Sequence, residues 1–178
     1  MKTADQEEER LLRLVATGDS GAFAALHRRR HAPVYRFALR IVHAPDRAEE
    51  VTNDTMVTVW SNAARFEFRS KVSTWIFGIA YRTALKSLRK NKQERSHVNI
   101  DDVGELADVE RPGIEAIFDK KRVSNALGKL PADLKAVIEL TYYYGFSQQE
   151  IADIMSCPIG TVKSRMHAAR LQLREVLA

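Results

Sequence analysis

Apolar residues recur every three or four positions along nearly the whole chain, and no stretch alternates apolar and polar residues long enough to read as a strand. The pattern predicts an all-α protein. Phe23, Leu26, Val34, Phe37, Ala38 and Ile41 keep the rhythm through 22–42, with Pro33 either kinking one helix or separating two. After His43-Ala44-Pro45, Asp46 is expected to cap a helix reaching about Asn62, with Glu49 and Glu50 early in it, where the helix dipole favours anions. A third helix is predicted from about Val72 to Lys92, with Trp75, Ile76, Ile79, Ala80, Ala84 and Leu88 on its apolar side. A short helix around Ile114 to Leu127 and another after Pro131, closed by Gly145, follow.

Two more helices end the chain. Ser147 with Glu150 three residues on forms a capping box, and Ile151, Ile154 and Met155 make the helix it starts one-sided. Ser156-Cys157-Pro158 stops that helix. From about Ile159, Val162, Met166, Ala169, Leu173 and Leu177 fall in one stripe, which turns Lys163, Ser164, His167, Arg170 and Arg174 away from the core. Residues 93–114 (QERSHVNIDDVGELADVERPGI) lack this periodicity and carry Gly and Pro-Gly breaks. The expected architecture is therefore two small helical domains, 1–92 and 115–178, joined by a flexible acidic linker over 93–114. A plain loop of that length is uncommon inside a compact domain.

Charge sharpens the picture. The net charge of +5 is modest, but it comes in blocks: residues 22–45 hold five Arg and no acid, and 46–61 hold four acids against one Arg. Nine bases face two acids in 62–95, and seven acids face one base in 96–119. Blocks of alternating sign point to separate surfaces for different partners, a polyanion foremost for the basic ones. No apolar run of about 18 residues is present and the N-terminus is acidic, so neither membrane insertion nor a secretory leader is expected, and the expected location is the cytoplasm. The single cysteine, Cys157, excludes an internal disulfide.

Two helices joined by a short turn, the second presenting small, polar and basic groups, have the geometry that lays a recognition helix in the DNA major groove. Gly160 and Thr161 at its start offer backbone N–H groups to a phosphate. Lys163 and Arg170 are suited either to a guanine edge or to a phosphate. A solvated amphipathic hairpin is the bland alternative.

GFSQQEIADIMSCPIGTVKSRMHAAR, from Gly145 to Arg170, resembles region four of the bacterial extracytoplasmic-function sigma factors. RAEEVTNDTMVTVWSNAARF resembles the acidic region-two helix of the same family, and STWIFGIAYRTALKSLRK its tryptophan-bearing promoter-melting helix. The resemblance implies a dissociable subunit that binds RNA polymerase core and directs it to particular promoters. It assigns upstream-element (minus thirty-five) contacts to Gly160, Thr161, Lys163, Ser164, Arg165, His167 and Arg170, on a module seated on the β flap. Minus-ten recognition and melting fall to Arg65, Phe66, Phe68, Arg69, Ser70, Lys71, Trp75, Arg82, Lys86 and Arg89. Core binding, to the β′ clamp helices, falls to Glu49, Glu50, Asn53, Asp54 and Val57. Promoter DNA, both duplex and melted strand, and an anti-sigma protein are the implied further partners.

The residues make physical sense of these roles. Glu50, Asn53, Asp54, Val57 and Ser61 share one helix face, as do Arg82, Lys86, Arg89 and Lys90. An acidic face suits a basic protein partner and a basic one a phosphate backbone, although a solvated charged surface explains either pattern. Melted DNA needs a stacking surface too, and RFEFRSKVSTW mixes aromatics with cations; Phe68 is expected to stack, and Trp75 to belong mainly to the core. Five positions depart from the family pattern: Phe68 and Ser156 stand where Gly is frequent, Ala168 where Arg is, and Gly78-Ile79-Ala80-Tyr81-Arg82 replaces the usual R-I-A-x-N at its first and last residues.

A stand-alone helix-turn-helix regulator that binds duplex DNA without polymerase is the rival reading. An enzyme such as a recombinase would need a catalytic set, and the chain shows no Gly-rich phosphate loop or nucleophile constellation. His27 and His31 have i, i+4 spacing but no third ligand nearby. No catalytic residue, metal or cofactor is expected.

Overall fold

The structure, a computed structural model, describes residues 2–96 and 125–177. Among these the regular elements are helices: α1 (Lys2–Ala16), α2 (Ser20–Val42), α3 (Pro45–Asn62), a 3-10 turn (Ala63–Arg65), α4 (Val72–Ser96), a helical stretch at 125–128, α5 (Ala132–Tyr142), α6 (Gln148–Met155) and α7 (Ile159–Leu177). The expected helix from Ile114 lies outside the described residues except for its last turn, as does most of the 93–114 linker, whose first four residues continue α4.

Local chemistry accounts for most boundaries. Asp19 caps α2 by accepting from the Ala22 N–H at 2.8 Å. Pro33 neither splits nor ends α2, which stays one helix. A proline inside a helix costs about 3 kcal/mol, here offset by a buried row that includes Leu26, Val34, Phe37, Ala38 and Ile41. Asp46 is not the cap of α3. Ala44 holds that position and Pro45 opens the helix, its ring fixing φ where the first turn needs it. The capping box at α6 is present, with Ser147 Oγ accepting from the Glu150 N–H and a Glu150 carboxylate oxygen accepting from the Ser147 N–H.

Helices α1–α4 form one bundle and α5–α7 a second, and one continuous apolar cluster runs through both. Phe77 of α4 stands at the junction, meeting Phe37 at 5.4 Å on its own side and Tyr144 and Phe146 at 4.7 and 5.1 Å on the other. Gly78, next to it, lets α6 approach: a Cβ there would lie 3.6 Å from the Ile154 carbonyl oxygen and 3.7 Å from its Cα.

Polar groups seal the same junction. Arg40 of α2 donates to both carboxylate oxygens of Glu139 on α5, at 3.0 and 2.8 Å, and its guanidinium lies 3.9 Å from the Tyr143 ring centre. Tyr144 donates to the Pro33 carbonyl at 3.0 Å. Lys135, buried on α5, meets the His43 Nε2 at 2.5 Å. Burial pushes Lys135 down to about 8; burial, with Lys135 beside it, pushes His43 down to about 4. Near neutral pH the pair is thus an ammonium donating to a neutral imidazole.

Candidate nucleic-acid interface

The segment between α3 and α4 folds back on itself, and its backbone is the reason. Phe68 has φ +55, in the left-handed region where the family's frequent glycine would sit without strain. That turn throws Phe66 against Trp75, with ring centres 4.6 Å apart and planes within 28°, while Phe68 packs edge-on behind Phe66 at 4.9 Å. In front of the stacked pair opens a cleft of about 500 Å³ lined by Thr58, Asn62, Arg65, Phe66, Glu67, Arg69, Trp75, Ile79 and Arg82. It offers an aromatic wall, amide and hydroxyl groups, and three arginines, the features that hold an unpaired base and its phosphates.

Of the residues expected at the melted strand, Arg65, Phe66, Arg69, Trp75 and Arg82 line this cleft. Trp75 is half-buried, packed against the core and at the same time lining the cleft beside Phe66. Phe68 supports the wall from behind. Lys71, four residues before Trp75, is paired with Glu150 of α6 at 2.9 Å, and that carboxylate raises the lysine's pKa. Lys86 and Arg89 continue from Arg82 along one exposed face of α4, extending the cationic surface away from the cleft. Thr58, Asn62 and Ile79 had no sequence signal as cleft residues, since only the folded loop brings them together.

Glu49, Glu50, Asn53, Asp54 and Val57 are exposed together on α3, while Val51, Thr52, Thr55, Met56 and Val59 face inward. Trp60, three residues past Val57, belongs to the same surface: it is 39% exposed, and Val57 is 63% exposed. Phe23 of α2 supports the indole edge-on at 5.1 Å. An acidic rim around exposed apolar side chains suits a protein partner, and the helical spacing of Trp60 was the signal that would have found it.

On α7, Val162, Met166 and Ala169 are buried and Lys163, Ser164, His167 and Arg170 exposed, as the stripe predicts. Ser156 closes α6 at φ 51, again left-handed where the family favours glycine. Two assigned residues are engaged within the module. Arg165 turns back to Asp133 at 3.1 Å, and Arg170 donates to the Tyr142 hydroxyl at 2.9 Å. Gly160 is exposed and Thr161 half-buried, the latter's carbonyl accepting from the Ser164 hydroxyl.

The order of these surfaces matches known proteins. Residues 26–94 match the model of sigma-70 region 2, and residues 120–173 match that of sigma-70 region 4. An ECF RNA polymerase sigma factor, RpoE, of Cereibacter sphaeroides is 33% identical over 88% of this chain and 87% of its own length. The chain belongs to the extracytoplasmic-function (ECF) sigma factors of the sigma-70 family. SigK of Mycolicibacterium vanbaalenii, another ECF sigma factor, is 30% identical over 96% of the chain and 89% of its own length. Among solved structures, the sigma factor RpoE of Bartonella quintana, crystallised with the anti-sigma factor NepR, is 29% identical with a TM-score of 0.71, covering 87% of this chain and 96% of that one. In this ECF sigma factor the cleft and the acidic face fall inside the region 2 match and the exposed basic face of α7 inside the region 4 match, whereas α1 precedes both. No described helix is long and apolar enough to cross a membrane.

Proposed function

We propose that this ECF sigma factor binds RNA polymerase core and directs it to promoters through two contacts, the exposed face of α7 on the duplex upstream element and the α3–α4 cleft on the melted minus-ten strand. The observation that carries the reading is the coexistence, on one short chain, of a helix that exposes Lys163, Ser164, His167 and Arg170 and an open aromatic cleft bordered by arginines. A stand-alone regulator needs only the first. The acidic face of α3, with Val57 and Trp60, is the surface offered to the β′ clamp, and the α5–α7 bundle is the module offered to the β flap. Initiation chemistry then belongs to the polymerase. The working location is the cytoplasm, and an anti-sigma protein is the expected inhibitor.

The two bundles must part for this task. Elements named for positions thirty-five and ten lie about 85 Å apart at 3.4 Å per base pair, yet here Lys71 of one bundle touches Glu150 of the other at 2.9 Å. Closed, Lys71 neutralises a carboxylate; opened, it is free for a phosphate. Core polymerase, by gripping each bundle separately, supplies the free energy of separation.

Fork-junction DNA, duplex upstream and single-stranded across the minus-ten element, tests the proposal. The factor with core polymerase should bind it far more tightly than the factor alone. Equal binding of a fully duplex probe with and without core would instead favour the stand-alone regulator.

A further inference from the structure

Helix α1 precedes both family matches, yet it holds the cleft from behind. Its Arg13 places a guanidinium 3.9 Å from the centre of the Phe68 ring, and Asp5, two turns earlier, comes within 4.0 Å of Lys71 at the far end of the same loop. A second tie fixes α1 to the bundle: buried Glu8 accepts from Arg30 of α2 at 2.5 Å. Arg13 therefore stands on a helix that cannot easily shift. From its guanidinium a series of ring contacts leads inward, Phe68 edge-on to Phe66 at 4.9 Å and Phe66 stacked on Trp75 at 4.6 Å, ending at the wall of the cleft.

We infer that Arg13 is a positioning residue for the melted strand: its cation holds the Phe68 ring in place, and Phe68 in turn fixes the Phe66–Trp75 wall on which an unpaired base stacks. The need for such a clamp comes from the backbone. A phenylalanine at φ +55 is in a conformation it leaves readily unless its side chain is held, and a loop that relaxed there would carry Phe66 off Trp75. A glycine at this position needs no clamp, having no Cβ to strain and no ring to hold. Arg13 and Phe68 thus form one device, and each is of little use to the cleft without the other. Arg13 touches neither strand nor base.

The inference rests on reading the cleft as the site of the unpaired base, so the test separates the two. The full-length factor, saturated with core polymerase, is titrated with fork-junction DNA carrying 2-aminopurine in the unpaired minus-ten strand. Arg13→Gln should weaken binding about two- to fivefold, the range of an exposed cation–π contact, and lower the stacking quench, with core affinity unchanged and the melting temperature lowered by no more than about 1–4 °C. Arg13→Lys should recover part of the loss. In a Phe68→Gly background Arg13→Gln should have no further effect. Trp75→Ala is the control for the cleft itself. Loss in Trp75→Ala with wild-type binding in Arg13→Gln overturns the positioning role alone, as do independent, multiplying effects of Arg13→Gln and Phe68→Gly. Unchanged binding in Trp75→Ala removes the cleft reading and the inference with it.

Discussion

Replacing Arg40 by Met should loosen the junction between the two bundles before either unfolds. Glu139 is 1% exposed, and both its oxygens are held by one guanidinium nitrogen reaching across from α2. Burial already raises the carboxyl's pKa against the opposing pull of Arg40, so removing Arg40 strands a poorly solvated charge and raises that pKa further. Breaking a buried pair by deleting one partner costs about 3–5 kcal/mol; because the Arg40 side chain is 35% exposed and Lys135 remains near Glu139, about 2–3 kcal/mol is the appropriate expectation here. At about 1.4 kcal/mol per tenfold, the ratio of closed to open forms should fall about 30- to 140-fold. Dyes on α3 and α7 would report separation of the bundles by energy transfer, alongside urea unfolding. The double variant Arg40→Met, Glu139→Gln should recover most of the loss, since a neutral amide needs no counter-charge. Unchanged inter-bundle distance and stability in Arg40→Met, or losses that simply add in the double variant, would refute the reasoning.

Gly78→Arg should force the bundles apart, because a Cβ there would already be in van der Waals contact with the α6 backbone at 3.6 Å and a long side chain would crowd it, whereas Gly78→Ala should be tolerated; scattering radii of the two variants give the comparison. Lys135, with its folded pKa near 8 against an ordinary 10.5, binds fewer protons folded than unfolded between those values, so stability should rise from about pH 8 toward 10.5 and this rise should be lost in Lys135→Met, as read by urea unfolding. Ser147→Ala removes one half of the α6 capping box and should cost about 1 kcal/mol, or about 2–4 °C in melting temperature, measured by circular dichroism. Lys163→Ala should weaken upstream-element binding while sparing core association, and Asp54→Ala the reverse, in paired titrations; equal loss of both activities in each variant would mean misfolding.

Periodicity made α2, α3, α4, α6 and α7 legible because each carries an uninterrupted apolar stripe, and the capping box marked α6 to the residue. Helix α1 was harder to see: its buried apolar side chains, Leu11, Leu12 and Val15, are confined to its last turns, and its first turns are mostly polar, including a buried Glu8 whose partner, Arg30, lies 22 residues away. Pro33 carried a breaker signal that packing overrode. At the cleft, aromatic and basic residue types pointed to the right segment, but their division of labour was set by one backbone angle at Phe68 that composition does not encode. Arg165 shows the same limit, since its place on the recognition helix suggested DNA while Asp133 of α5 claims its guanidinium. Contacts between the bundles, Arg40 to Glu139 and Lys135 to His43, join residues about ninety to a hundred positions apart and leave no local trace.

Run-off transcription with purified bacterial core polymerase on a promoter library tests the central claim most directly. The account predicts that adding this chain yields transcripts from a subset of templates sharing an upstream motif and a minus-ten motif, and that Trp75→Ala reduces them on duplex promoters more than on templates premelted around the start site. No transcript from any template, with the chain nonetheless binding duplex promoter DNA in the absence of core, would contradict it.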